Sequence, residues 1–341
     1  MYTSIQSSRQ RRSSLFVRIV ILPLSIVAVI FLCVGIYSFM GANLIMRIPP
    51  ETHEGFPSNI LPSFSNASFT SLDGLTKLEG WFFRTAKEPV STVVMVHGFG
   101  RDRLQFGTDT VHIYDYFLSK GFNVLSFDLR HSGSSGGNIN TFGYSEWQDV
   151  LGAISYAKRT ASTTDVILYG LGSGSGAALA AYEKLPGPDS DPEDFPYNIQ
   201  VLGFDQSYIR SFIFDGLLVS ADDYIGMVCA ENIVFGDKLG RAAVPYAVRL
   251  SSGIEKRINL AAAIARINVP VHLIYGDYSD RVMSERAQTT VSERVRMFPD
   301  KTTVYVITDN GSKISPYSDI LYDPSGYTGS ISEFLGTFLP S

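Results

Sequence analysis

The sequence predicts an α/β protein: a mostly parallel eight-stranded sheet flanked by helices, covered by a helical lid and preceded by one transmembrane helix. Three observations carry that expectation. From about Ala67 onward, short apolar runs alternate with helix-period segments, as strands joined by helical crossovers do. The later runs are nearly continuous in apolar residues, the pattern of parallel strands covered on both faces. Near the N-terminus one uncharged apolar run is long enough to cross a bilayer.

That run, "IVILPLSIVAVIFLCVGIYSF" at residues 19–39, follows Arg9, Arg11, Arg12 and Arg18. It exceeds the apolar core of about 7 to 15 residues found in cleavable signal peptides and ends without an A-x-A-like site, so an uncleaved anchor is expected. Pro23 falls in its first turns, where a missing N–H is tolerated. Four arginines before the run and only Arg47 just after it place residues 1–18 in the cytoplasm and the body outside. Residues 40–64, which include "RIPPETHEGFPSNILPSFSN", read as a Pro- and Ser-rich linker lifting the body off the membrane.

The body, residues 65–341, reads as one domain. Its apolar runs are "ASFTSLD", "LEGWFFRT", "STVVMVHG", "FNVLSFD", "DVILYG", "IQVLGFD", "PVHLIYGD" and "TTVYVIT". Asp73 and Gly74 between the first two suggest an antiparallel hairpin. Helices are expected near residues 109–120, 144–158 and 173–184, with a last one ending near Leu339; residues of about 208–267 read as a lid over the carboxyl edge of the sheet. "PGPDSDPEDFPYN" is a solvated acidic loop, with nothing that would fix metal-ligand geometry.

Composition removes several function classes. A net charge of -5 offers no basic surface for a phosphate backbone, so nucleic acid is not an expected partner. Cys33 lies in the membrane run and Cys229 in the body, so no disulfide joins them, and Cys229 reads as a buried small apolar residue. No metal site is expected.

The chemistry should gather at the carboxyl ends of the strands. There stand "VHGFG", "FDLRHSGSSGG", "YGLGSGSG" and "YGDYSD". The third motif fits two templates. As G-x-G-x-x-[GA] from Gly172 to Ala177 it is a dinucleotide cradle; as G-x-S-x-G it is a nucleophile elbow with glycine in the serine's place. A cradle belongs to an early strand, with an acid about 20 residues further on; here the strand comes late, and the next acidic strand end, Asp205, comes too far on. No cofactor is therefore expected.

Taken in order, the four motifs resemble the α/β-hydrolase superfamily over about residues 65–340, particularly bacterial membrane-anchored serine hydrolases with a "DLR-x-S-G-x-S-G-G" loop. The resemblance implies an α/β-hydrolase fold and assigns roles. "HGFG" matches the oxyanion segment, with the Phe99 N–H and the Ser173 N–H as donors, and His97 and Gly98 in the cleft turn. "GDYSD" matches the acid turn, with Asp280 in the triad acid position. The nucleophile position is held by Gly172. The histidine position, after the last strand, holds Ser312 and Lys313 in "TDNGSKISPYSD".

The degenerate triad sets the functional expectation. All five histidines, His53, His97, His112, His131 and His272, precede Asp280. His272 lies within a strand and reads as a satisfied core residue; His97 and His131 can reach the cleft without standing in the base's place. Loss of nucleophile or base costs a serine protease about 10⁶-fold in turnover, while an oxyanion hole and binding alone retain about 10³ to 10⁴ over water. A catalytically impaired pseudoenzyme that binds a small-molecule or acyl ligand, or a protein partner, is the leading reading. A displaced Ser173, with Lys313 as base, would make the chain an esterase or peptidase-like hydrolase. A third reading is an interaction domain whose cleft is filled by its lid. Asp205 is expected to cap the helix after it, Asp128 and Arg130 to stabilise their own loop, and Asn66 and Asn310 to be glycosylated only in a eukaryotic secretory pathway.

Overall fold

The computed structural model describes residues 17–50, 52, 56–254, 256–276, 281–307 and 323–339. Eight strands form one sheet: β1 (Phe64–Thr70), β2 (Lys77–Phe83), β3 (Ser91–Val96), β4 (Phe122–Phe127), β5 (Val166–Leu171), β6 (Ile209–Asp215), β7 (Val271–Gly276) and β8 (Thr302–Ile307), in spatial order β1-β2-β4-β3-β5-β6-β7-β8. β2 runs antiparallel to both β1 and β4, and every other pairing is parallel. Every residue of β3, β4 and β5 is buried, which accounts for their nearly continuous apolar sequences. β1 and β8 keep exposed positions, as edge strands do.

β3 lies between β4 and β5, so the chain leaves it to opposite sides and a crevice opens beyond the carboxyl ends of β3 and β5. "VHGFG" and "GLGSGSG" end those two strands. Five helices flank or follow the sheet strands: α2 (Asp109–Ser119), α3 (Trp147–Thr160), α4 (Ser173–Lys184), α8 (Arg281–Met297) and α9 (Pro324–Phe338). Three more, α5 (Ala221–Asn232), α6 (Arg241–Ser251) and α7 (Leu260–Ile264), stand between β6 and β7.

Two boundaries differ from the sequence expectation. "IQVLGFD" is not a strand: its first residues close a short helix, Tyr197–Gln200, and Gly203 turns the chain with φ 65°. The sixth strand is "IRSFIFD", so the segment of about 208–267 opens with a central strand and its helical cover starts only at Ala221. Asp205 does cap the next turn, accepting from the Ser207 N–H at 2.8 Å.

The second difference is in the N-terminal helix. The apolar run forms α1 (Leu22–Met46), entered through a π turn at Val17–Ile21. The helix therefore runs through residues 40–46, which the sequence had suggested as linker. Ser38, Gly41, Ala42, Ile45 and Met46 are buried, a spacing that puts them on one helical face. That face packs on α6 and α5. A Cβ at Gly41 would stand 2.9 Å from Val244 Cγ2, so glycine sets the close approach. The Tyr37 hydroxyl donates to the Val234 carbonyl at 2.9 Å, and the Asn140 N–H donates to the Met46 carbonyl at 2.8 Å. Arg18–Met46 is long and apolar enough to span a membrane, and this single helix is compatible with a membrane anchor.

Candidate functional site

β5 passes into α4 through one residue, Gly172, with φ 53° and ψ -125°. That positive φ disfavours a side chain. The Gly172 N–H donates to the Asp215 carbonyl at 2.8 Å, tying the turn to the neighbouring strand. The flanking glycines answer a packing need. A Cβ on Gly170 would lie 2.5 Å from the Ser175 Cα, and one on Gly174 would lie 2.2 Å from the Val96 carbonyl oxygen. "GLGSGSG" is thus a sharp strand-to-helix turn pressed against β3, the geometry of a nucleophile elbow.

Ser173 is the first residue of α4 and only 4% exposed. Its Oγ accepts a 2.8 Å hydrogen bond from the Phe99 N–H. The donor that the oxyanion reading assigns to a substrate oxygen is therefore engaged by the protein's own hydroxyl. The Phe99 ring stacks on Phe142, centroids 4.2 Å apart at 21°. Phe142 is fully buried and holds φ 60°, a costly backbone for an aromatic residue. Glu146 fixes its loop, accepting from the Thr141 N–H and hydroxyl and from the Gly143 N–H at 2.6–2.8 Å. Ser175 is buried, its hydroxyl donating to the Asp215 carbonyl at 3.3 Å.

The histidines divide by environment. His97 is buried, accepts at Nε2 from the Leu129 N–H (2.9 Å), and so donates from Nδ1 to the Gly98 carbonyl (2.8 Å). Burial lowers its pKa, against the opposing pull of Asp128, and both nitrogens are occupied by backbone. It braces the β3 and β4 turns. Gly98 donates its N–H to the Gln105 Oε1 at 2.7 Å. His131 has φ 55° and a buried Nε2 with no hydrogen-bond partner among the described residues; no described hydrogen bond or ring contact links it to the elbow. His112 is exposed on α2. His272 is the core residue expected, bonded to the Thr303 and Ser330 hydroxyls and stacked on Phe334. Asp280, Ser312 and Lys313 lie outside the described residues, as do His53 and Asn310.

The loop after β4 holds itself together. Asp128 accepts from the Arg103 N–H and guanidinium and from the Ser134 N–H. Arg130 forks onto Asp149, with its terminal nitrogen also reaching Asp73 and Ser71. Burial pulls the Arg130 pKa down, but the hydrogen bonds and charge of Asp149 outweigh it and the net shift is upward.

Sequence reading missed Asp215. It ends β6, beside Leu171 in register, and is 1% exposed. Its Oδ2 accepts from the Tyr327 hydroxyl at 2.7 Å, which lies 2.5 Å from the Tyr169 hydroxyl. Burial and then the Asp215 charge push the Tyr327 pKa well up, so this phenol stays a donor. The signal was the "FD" ending of "IRSFIFD", the same ending as in the misassigned "IQVLGFD".

An eight-stranded sheet with this order, a glycine-lined elbow after β5 and an oxyanion-type turn after β3 define the α/β-hydrolase class. The sequence profile of the Alpha/beta hydrolase family matches residues 93–321, and the chain belongs to that family. Solved structures share the fold at low identity. An esterase of Pyrococcus furiosus superposes with TM-score 0.61 at 20% identity, over 86% of this chain and 98% of that one. An alpha/beta hydrolase of Penicillium sp. gives 0.52 at 16%, over 82% and 100%, and an esterase of Rhodococcus sp. gives 0.51 at 13%, over 80% and 99%. No curated protein matches the chain in sequence.

Proposed function

We propose that this chain is a single-span membrane protein whose α/β-hydrolase body has lost acyl-transfer chemistry and serves as a binding or scaffold module outside the cytoplasm. The orientation rests on the arginines that precede α1. The observation that carries the reading is the pairing of Gly172 at the elbow with Ser173 Oγ on the Phe99 N–H. Glycine supplies no nucleophile. A hydroxyl that occupies the oxyanion donor cannot attack a carbonyl whose oxygen needs that same donor. The buried histidine nearest the turn, His97, has both nitrogens engaged. The esterase names of two structural neighbours therefore describe the scaffold this chain shares, while the reaction depends on groups at the site.

Fluorophosphonate labelling of the full chain in detergent tests this reading. No serine adduct is expected, either in the parent or in Gly172→Ser, because the histidine position remains unfilled. Labelling of the parent that disappears in Ser173→Ala would establish the displaced-serine hydrolase instead.

A further inference from the structure

The turn between α5 and α6 carries apolar side chains that none of the described residues cover. Val234 is 74% and Phe235 77% exposed. Phe235 is held at φ 59°, a left-handed backbone that bulky residues avoid. Gly236 behind it lies so close to α5 that a Cβ would stand 1.7 Å from the Cys229 carbonyl oxygen. The turn is thus built tightly, and Phe235 projects from it. Exposed Asp237 and Lys238 follow at once, so the apolar tip has a charged shoulder.

Its place along α1 says what it faces. Val234 is joined to Tyr37 through its carbonyl. The other described anchor points of the body on α1, Gly41 against Val244 and Met46 with Asn140, lie further toward the C-terminal end of the helix. From Arg18, the cation bordering the apolar run, to Tyr37 the helix rises about 28 Å at roughly 1.5 Å per residue, close to the hydrocarbon thickness of about 30 Å. Tyr37 therefore falls at the boundary where tyrosine favours the headgroup level. Ile36, Phe39 and Met40 at the same height are exposed and apolar.

We propose that Val234 and Phe235 insert into the leaflet on the body's side, making a second membrane contact beside α1. The occupant of this surface is a phospholipid bilayer, and the helical cover of the hydrolase body rests on the lipid. The body is not held away on a stalk. This rests on the reading of α1 as a membrane span, and the test separates the two.

Full-length chain is reconstituted into phosphatidylcholine vesicles whose acyl chains carry bromine either near the carbonyl end or near the methyl end. Tryptophan fluorescence is read as the difference from the parent for Phe235→Trp and, as a marker of the span, Phe31→Trp. Both positions are exposed on the protein, so neither substitution disturbs packing. Expected is loss of most of the added Phe235→Trp emission with the shallow bromines, and of the Phe31→Trp emission with the deep ones. Quenching of Phe31→Trp without quenching of Phe235→Trp overturns the second contact and leaves the span intact. Escape of Phe31→Trp from quenching overturns the span and the proposal together.

Discussion

Ser173 Oγ and the Phe99 N–H are bonded at 2.8 Å, and the Phe99 ring stacks on Phe142. The bond joins the start of α4 to the turn after β3, the two walls of what would be a catalytic crevice. Its contribution to the fold has a measurable consequence. Ser173→Ala leaves a partly buried N–H without its acceptor, which costs about 1–3 kcal/mol. Chemical denaturation should show that loss. Unchanged stability would show that the Ser173 hydroxyl contributes nothing to holding the two turns together.

Arg130 and Asp149 form the second test. The Asp149 side chain has no solvent exposure and Arg130 has 13%, with the closest approach at 2.7 Å. Removing one partner strands the other, so Arg130→Met should cost about 3–5 kcal/mol. Replacing both, Arg130→Met with Asp149→Leu, should recover part of that loss, because the Asp149 carboxylate is no longer stranded, although Asp73 and the buried Glu146 still lose the guanidinium and the Arg130 N–H loses its acceptor. A double-mutant cycle read by urea unfolding gives the coupling.

His272 predicts acid sensitivity. Burial lowers its pKa to about 4, outweighing the hydrogen bond at Thr303, against about 6.5 in an unfolded chain. Below the unfolded value the unfolded state binds the extra proton, so stability falls as pH drops from about 6.5 to 4 and levels off beneath. The full shift corresponds to about 3 kcal/mol. His272→Asn should flatten the decline in melting temperature across that window, even though it lowers stability at neutral pH.

Arg294 is fully buried and holds no carboxylate among its described partners. Its guanidinium donates to the carbonyls of Ile264, Ile267 and Val269 and to the Thr302 hydroxyl, over the Phe298 ring. Burial brings its pKa down to about 10. This one side chain ties the end of α7 to the starts of β7 and β8. Arg294→Met should leave several carbonyls without donors and lower stability by about 3 kcal/mol or more. Arg294→Lys, with one ammonium for a fork of five donors, should recover only part of it.

The strand ends were legible in the sequence wherever an apolar run met a glycine-rich turn, and those turns carried the family and the elbow. What misled was a repeated pattern. "IQVLGFD" and "IRSFIFD" both look like a strand ending in Asp. Pro196 before the first and Gly203 within it favour a helical turn and a reversal, and only pairing with β5 and β7 selects the second. The extent of α1 was hidden differently. Hydropathy marks where lipid contact ends, but Gly41, Ala42 and Ile45 stay helical because they pack on α6, information that resides in a helix two hundred residues away. The bond from the Phe99 N–H to Ser173 was likewise invisible, since a serine after the elbow reads equally as nucleophile, helix start or plug.

The last turns of α1 also bear on how the body can be handled in isolation. A soluble fragment that begins at β1 would lose Gly41, Ala42, Ile45 and Met46, the helical face that packs on the body. Val244 and Ile233, which flank Gly41, would be bared to water. Such a fragment would carry a sticky seam along its cover helices and pair with itself or with detergent. With α1 as the membrane span proposed above, the helix is a stave common to the bilayer and the body, and the division between anchor and domain falls inside it, near Tyr37.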